Sequence, residues 1–334
     1  MNFDVIIIGG SYAGLSAAMS LGRSLRNVLI IDSSQPCNRQ TPHSHNLITH
    51  DGDTPAQITS KARQQVLKYP TVKMENGTVT QVYRNGTFSV ITGDGKSFTS
   101  KKLLFATGVV DIMPDIPGFA ECWGISVLHC PYCHGYEVRS QPTGIIANGD
   151  MAYEYAKMIS TRTNNLTLFT NGPSQLTAQQ TQKLQKHNIH IYENEIKALN
   201  HKHGILSGLE LTDGSMYSLN AIYARPAIKQ HCSIPQLLNC EITEAGFIKV
   251  DLFQATTVEG IFAAGDNANM FRSVARPLPM ATRPVRLLIN NLYRIAFKSQ
   301  AVFPLPPSAV QCPAQTRRNR TLQGLRGQVG AGFR

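Results

Sequence analysis

The stretch "HCPYCHGYE", His129 to Glu137, sets two cysteines two residues apart with an imidazole on either side. Cys130 and Cys133 at this spacing admit three chemistries: a structural zinc site, a passive disulfide, or a redox pair that opens and closes. Zinc needs about four ligands. His129 and His134 are close by, but no second Cys-x-x-Cys or His-x-His unit stands at a useful spacing, so no metal site is expected. A redox pair suits the pattern better. Two intervening residues at the start of a helix permit a small disulfide ring, and the helix N-terminus favours the thiolate. His134 follows at once, and an imidazole titrates near neutrality, where it can carry the proton that thiol exchange moves. The alternative for His134 is a capping side chain with no catalytic task. Glu137 is either a partner for an imidazole or a solvated acid. Cys37, Cys122, Cys232, Cys240 and Cys312 show no pairing pattern and read as small buried residues or exposed thiols.

Such a pair needs elements to position it. "DVIIIGGSYAGLSAAMSL" is an apolar run, a Gly-rich turn and a helix-like pattern, with Gly9, Ser11 and Gly14 in the three small-residue places of G-x-G-x-x-G. A small residue at Ser11 still lets a pyrophosphate approach the backbone, and the helix N-terminus offers free N–H groups. The next strand, "NVLIID", ends in Asp32, placed to accept from ribose hydroxyls. A more eroded second unit, "TGIIANGDMAYEYAKMI", puts Ala147, Gly149 and Ala152 in the same places. Each unit is followed by a β meander, with turns at Asn85-Gly86, Asp94-Gly95 and Asp213-Gly214. The chain therefore repeats one plan: nucleotide unit, meander, nucleotide unit, meander.

The 334 residues suffice for two domains, and 42% hydrophobic content supports sizeable cores. No stretch approaches the roughly 18 apolar residues of a membrane span. "MNFDVIIIGG" reads as a buried strand, and seven cysteines are too few for a disulfide scaffold, so a cytoplasmic protein is expected. The formal charge of +11 hints at nucleic acid, but residues 267–334 hold eleven Lys/Arg and no Asp/Glu, so the remainder is neutral. No nucleic-acid or membrane partner is expected.

Two further stretches carry a family resemblance. "LLFATG" places Thr107-Gly108 after a strand, and "TTVEGIFAAGD" places Gly265-Asp266 after another. With "CPYCHG" between them, the chain resembles the low-molecular-weight thioredoxin reductases, above all relatives with C-x-x-C-H-G-Y-E, which include dithiol oxidases of gliotoxin type. The likeness spans about residues 3–270. It implies an α/β fold of two Rossmann-like, three-layer dinucleotide-binding domains with β meanders, the second inserted in the first. Residues 1–113 and 244–300 would form the FAD domain, and residues 114–243 a nicotinamide-type domain carrying the redox pair. It also implies a homodimer. Asp266 would bind the ribityl chain and Asp32 the adenosine ribose; Asn38, Arg39 and Asp51 fall in the stretch that wraps the flavin. Cys133 would face the flavin and Cys130 the substrate.

The resemblance implies electron flow from NADPH to FAD to the pair and on to a thioredoxin-like protein or small disulfide. The alternatives are a dithiol oxidase, passing electrons from a small dithiol through FAD to dioxygen, and a non-enzymatic flavin-binding relic. "FTNGPSQL", Phe169 to Leu176, stands where relatives carry cations for the NADPH 2′-phosphate, and it has none. NADH, or no nicotinamide at all, is therefore also open. After Gly265-Asp266 the family continues into a helix of small residues, whereas Pro279 and Pro284 would break one here. A pair of compensating frame errors would restore the expected text, and the basic segment 301–334 is expected to be an abnormal or disordered tail.

Overall fold

The computed structural model describes residues 2–275. Expectations for Pro279, Pro284 and the 301–334 segment lie outside the described residues. The first unit opens with β1 (Asn2–Ile8), whose apolar run is buried on both faces, as a central parallel strand requires. It turns at Gly9 into α1 (Tyr12–Arg23), whose Ala and Gly residues lie against the sheet. β2 (Val28–Asp32) follows, then a long segment over residues 33–54. α2 (Pro55–Val66) is started by a Thr54/Gln57 capping box with Pro55 in its first turn. β3 (Val72–Asn76), β4 (Val79–Asn85), β5 (Thr87–Thr92) and β6 (Ser97–Phe105) complete the first run. The turns at Asn85-Gly86 and Asp94-Gly95 join β4 to β5 and β5 to β6 as expected, with both glycines at positive φ.

β7 (Val109–Ile112) and α3 (Phe119–Cys122) lead into the second unit: β8 (Val127–Leu128), α4 (Pro131–His134), β9 (Thr143–Ile146), α5 (Gly149–Ile159), β10 (Leu166–Phe169), α6 (Ala178–Lys186) and β11 (His190–Tyr192). A three-stranded meander, β12 (Ile196–Lys202), β13 (Ile205–Leu211) and β14 (Met216–Tyr217), turns at Asp213-Gly214 between its last two strands. β15 (Ala221–Ala224), β16 (Ala227–Gln230), α7 (Ile234–Leu237) and β17 (Ile261–Ala263) follow.

Two large sheets result. One has the order β3-β2-β1-β6-β5-β4, with β17 on the far half of β6; the other runs β11-β10-β9-β15-β8. Strands before residue 106 and after residue 260 share the first sheet, and the second comes from the chain between them. β7 and β16, leaving and returning, pair antiparallel. Register explains why distant motifs meet. Ile8 pairs with Ile31 and with Phe105, and Phe105 with Ala263. The Gly9 turn, Asp32, Thr107-Gly108 and Gly265-Asp266 thus all emerge at the carboxyl ends of parallel strands, where open α/β sheets bind ligands. In the second sheet Leu128 pairs with Tyr223, and Ala224 with Ile146, so Cys130 and Asn148 emerge at one end as well. Among the described residues no helix is long and apolar enough to cross a membrane.

Candidate active site

Gly9 has φ +104°, and a Cβ there would fall 2.3 Å from the Ala106 carbonyl oxygen; one on Gly14 would fall 1.9 Å from that of Gly9. These two contacts seat the turn and the start of α1 flush on the sheet. Ser11 is the N-cap, and its side chain makes no capping bond. The first turn of α1 opens onto a cavity of about 750 Å³ lined by Gly9, Ser11, Asp32, Asn38, Arg39 and, on its far side, the redox pair. Asp32 holds the mouth of the turn: one carboxylate oxygen accepts from the Gly10 N–H at 2.9 Å and the other from Arg63 at 3.2 Å. The Asn38 amide donates to the Tyr12 hydroxyl at 3.2 Å. Asn267 is fully buried and staples two motifs together, donating to the Phe105 carbonyl at 2.9 Å and the Thr107 hydroxyl at 3.3 Å.

Thr107, Gly108, Cys130, Cys133, His134, Gly265 and Asp266 also line this cavity. Gly14 lies beneath it. Asp51 is not among the lining residues; its carboxylate accepts from the Asn46 N–H at 2.8 Å and its side chain is 69% exposed. Gly149 and Ala152 belong to the second sheet's helix and are also outside the lining.

The redox pair sits on a single turn of helix. Pro131 presets φ at its first position and Cys130 is its N-cap. The Sγ atoms are 2.6 Å apart. Cys130 is pulled down to about 7, first by the hydrogen bond from the Cys133 thiol, then by the backbone N–H groups of Tyr132 and Cys133 and the charge of Arg162, against the opposing effect of burial. Cys133 is pushed up by donating to Cys130, by burial and by Glu137. The two thiols are thus unlike, and Cys130 is the better thiolate. In the reduced protein, alkylation of Cys130 by iodoacetamide should reach half its maximal rate near pH 7, against about 8.5 for a free thiol. Arg162→Gln should move that midpoint upward; an unmoved midpoint would mean that the guanidinium plays no part.

Burial lowers His134, with Glu137 opposing, and lowers His129 to about 4, helped by Arg272 and Arg225. His129 is therefore neutral at physiological pH, and its carbonyl accepts from the Tyr155 hydroxyl at 3.1 Å. A buried network closes the cavity floor. Arg272 meets Asp111 through two bonds of 2.5 and 3.1 Å and lies 3.4 Å from Asp266, while the Trp123 indole donates to Asp111 at 3.2 Å. Arg63, Asp111, Trp123, Tyr155 and Arg272 carry no local sequence signal. Among the described residues no group of three or more His, Cys, Asp or Glu is placed to hold a metal ion.

The first unit fits FAD. Free N–H groups at the start of α1 suit a pyrophosphate, and Asp32 and Asp266 offer carboxylates at two strand ends. At the matching end of the second unit, Asn148 caps the start of α5 and ties it to the loop that follows β10. The Asn148 side-chain oxygen accepts from the N–H groups of Gly149 and Gln175, at 2.9 and 2.7 Å, and its amide donates to the carbonyl of Pro173 at 2.9 Å. Asp150 puts a carboxylate in the first turn of α5. This end is poorly furnished for a phosphorylated nicotinamide.

Residues 3–283 match the model of the pyridine nucleotide-disulphide oxidoreductase family, whose members imply FAD and a pyridine nucleotide as cofactors. The chain is 32% identical over 277 residues to the thioredoxin reductase aclD of Aspergillus oryzae, covering 79% of this chain and 88% of that one. It is 31% identical over 283 residues to the thioredoxin reductase tcpT of Claviceps purpurea, covering 81% and 88%. An oxidoreductase from Agrobacterium tumefaciens superposes with a TM-score of 0.83 at 36% identity, over 88% of this chain and 99% of that one. The putative thioredoxin reductase TrxB from Bacillus anthracis gives 0.85 at 27% identity, over 88% and 100%. The chain belongs to the pyridine nucleotide-disulphide oxidoreductases and, within them, to the thioredoxin reductase-like flavoproteins, FAD-dependent enzymes of thiol–disulfide exchange.

Proposed function

We propose that the enzyme oxidises a small dithiol at Cys130–Cys133, with FAD carrying the electrons and dioxygen as final acceptor. The observation that carries this direction is the start of α5, where the Asn148 side chain already bonds the Gly149 and Gln175 N–H groups and residues 169–176 supply no cation for a 2′-phosphate. FAD, when bound, supplies a two-electron carrier beside the pair.

The chain's own residues perform the exchange. A substrate thiolate attacks Cys130 Sγ, the Cys130–Cys133 bond breaks, and Cys133 leaves as thiolate. The second substrate thiolate attacks the substrate sulfur of the mixed disulfide, forming the product disulfide and releasing Cys130. A low-pKa thiol leaves faster, which suits Cys130 to this last step. Two thiol protons are displaced, and His134, which lines the same cavity, takes one in this reading. The assignment of Cys133 to the flavin side and Cys130 to the substrate side follows the family likeness. So do the flavin contacts of Asp32, Asn38, Arg39, Thr107, Gly108 and Asp266. The division near residues 113 and 243, a homodimer and a cytoplasmic setting belong to the same reading.

A second reading is the reductase direction, from NAD(P)H to FAD to the pair and on to a thioredoxin-like protein or small disulfide. The names of the fungal relatives favour it. Anaerobic mixing separates the two. Under the first reading dithiothreitol bleaches the flavin absorbance, air restores it, and neither NADPH nor NADH bleaches it within minutes. Bleaching by a nicotinamide would overturn the first reading in favour of the second.

A further inference from the structure

We propose that His45 is a positioning residue of the exchange: set between Asp51 and Glu137, it clasps the cysteine-bearing turn to the segment that covers the cavity. His45 lies on the 33–54 segment and lines the cavity. Its Nε2 is 3.6 Å from a Glu137 carboxylate oxygen, and its Nδ1 is 3.6 Å from one of Asp51. Its ring stands edge-on to that of His134, 6.2 Å between centroids, and 6.4 Å from that of His43. His43, Asp51, Glu137 and His134 are the titratable groups facing it from its own segment and from the redox turn.

Glu137 stands three residues beyond His134, in the excursion from the second sheet that carries the cysteines, whereas His45 belongs to the excursion from the first sheet. The pair therefore ties the two excursions together. A second tie, from the Gln40 amide to the Trp123 carbonyl, lies on the same segment. Both ring nitrogens of His45 face carboxylates. Only the imidazolium has two N–H donors; the neutral ring would turn a lone pair towards one carboxylate. Two N–H donors on the ring therefore suit the two carboxylates it stands between.

This inference rests on the reading of Cys130–Cys133 as the exchanging pair, and its test keeps the two apart. In flavin-loaded, reduced protein, iodoacetamide labelling of Cys133 is followed by mass spectrometry between pH 5.5 and 8.5, for wild type, His45→Gln, Glu137→Gln and the double variant. Labelling needs no turnover, so it reports on the clasp even if dithiothreitol fails to bleach the flavin. At pH 6 each single variant should label about three- to tenfold faster than wild type, the scale of a partly buried ion pair. The double variant should match the singles. Single variants that label within about twofold of wild type, or additive effects in the double variant, would overturn the proposal. Flavin content and melting temperature within error of wild type exclude general unfolding, and His45→Lys, which supplies a cation, should recover part of the protection.

Discussion

Cys133→Ser and Cys130→Ser are each expected to lower dithiol turnover by about a thousandfold or more, and the double variant to be no worse than either single. Residues that work as one covalent unit lose nearly everything with the first deletion, so the losses do not add. The two singles should nonetheless differ in what they trap. With Cys133→Ser, Cys130 remains a favoured thiolate at the helix N-cap and can attack a disulfide. No resolving thiol is then present, so an aromatic disulfide such as 5,5′-dithiobis(2-nitrobenzoate) should leave one stable mixed disulfide on Cys130. With Cys130→Ser, the remaining Cys133 loses its hydrogen-bonding partner and keeps the opposing influences of burial and Glu137. It should label slowly, and mainly above pH 8. Intact-mass analysis after brief exposure at pH 7 reads both results. A Cys133→Ser variant that turned over at even a tenth of the wild-type rate would remove the pair from the reaction. Equal trapping by both variants would instead reverse or erase the division of labour between the two sulfurs.

The parts of this site that were legible in the sequence are those whose physics is local. Gly9 and Gly14 announce close backbone approaches that a Cβ would block, and both approaches are made to carbonyl oxygens. Cys130-Pro131 announces an N-cap and first helical position, and α4 begins there. Asn-Gly and Asp-Gly announce tight turns, and the meanders bend at them. What was not legible depends on register between strands far apart in sequence. Arg272 and Asp111 are 161 residues apart, and nothing near either residue predicts the other. His45 stood in a stretch assigned to the flavin, but its partner Glu137 comes from the other sheet's excursion. Asp51 lies on the same stretch, where its carboxylate accepts from the Asn46 N–H and faces His45. The missing cation at Phe169–Leu176 was visible, but the bond from the Gln175 N–H to the Asn148 side chain needed the loop's path.

Arg272→Met should destabilise the flavin-loaded protein by about 3–5 kcal/mol, as removing one partner of a buried ion pair does. The Arg272 and Asp111 side chains are 13% and 6% exposed, and among the described residues the guanidinium is the cation paired with both Asp111 and Asp266. Without it two buried carboxylates face each other, and the Trp123 indole is left to bond to one of them. Asp266 is already held above the usual carboxylate range by burial, with Arg272 pulling it back, so the variant should raise it further. The sign of the pH dependence follows. A carboxylate whose folded pKa is raised is most compatible with the fold when protonated, so the variant loses stability as pH rises through that raised pKa and regains it as pH falls. The deficit, measured by urea unfolding, should therefore be larger at pH 8 than at pH 5. Asp111→Asn should cost less, because Arg272 keeps Asp266 and the amide keeps an acceptor for the indole. A deficit under about 1 kcal/mol, or one that grew on acidification, would mean that this network does not carry the floor of the cavity.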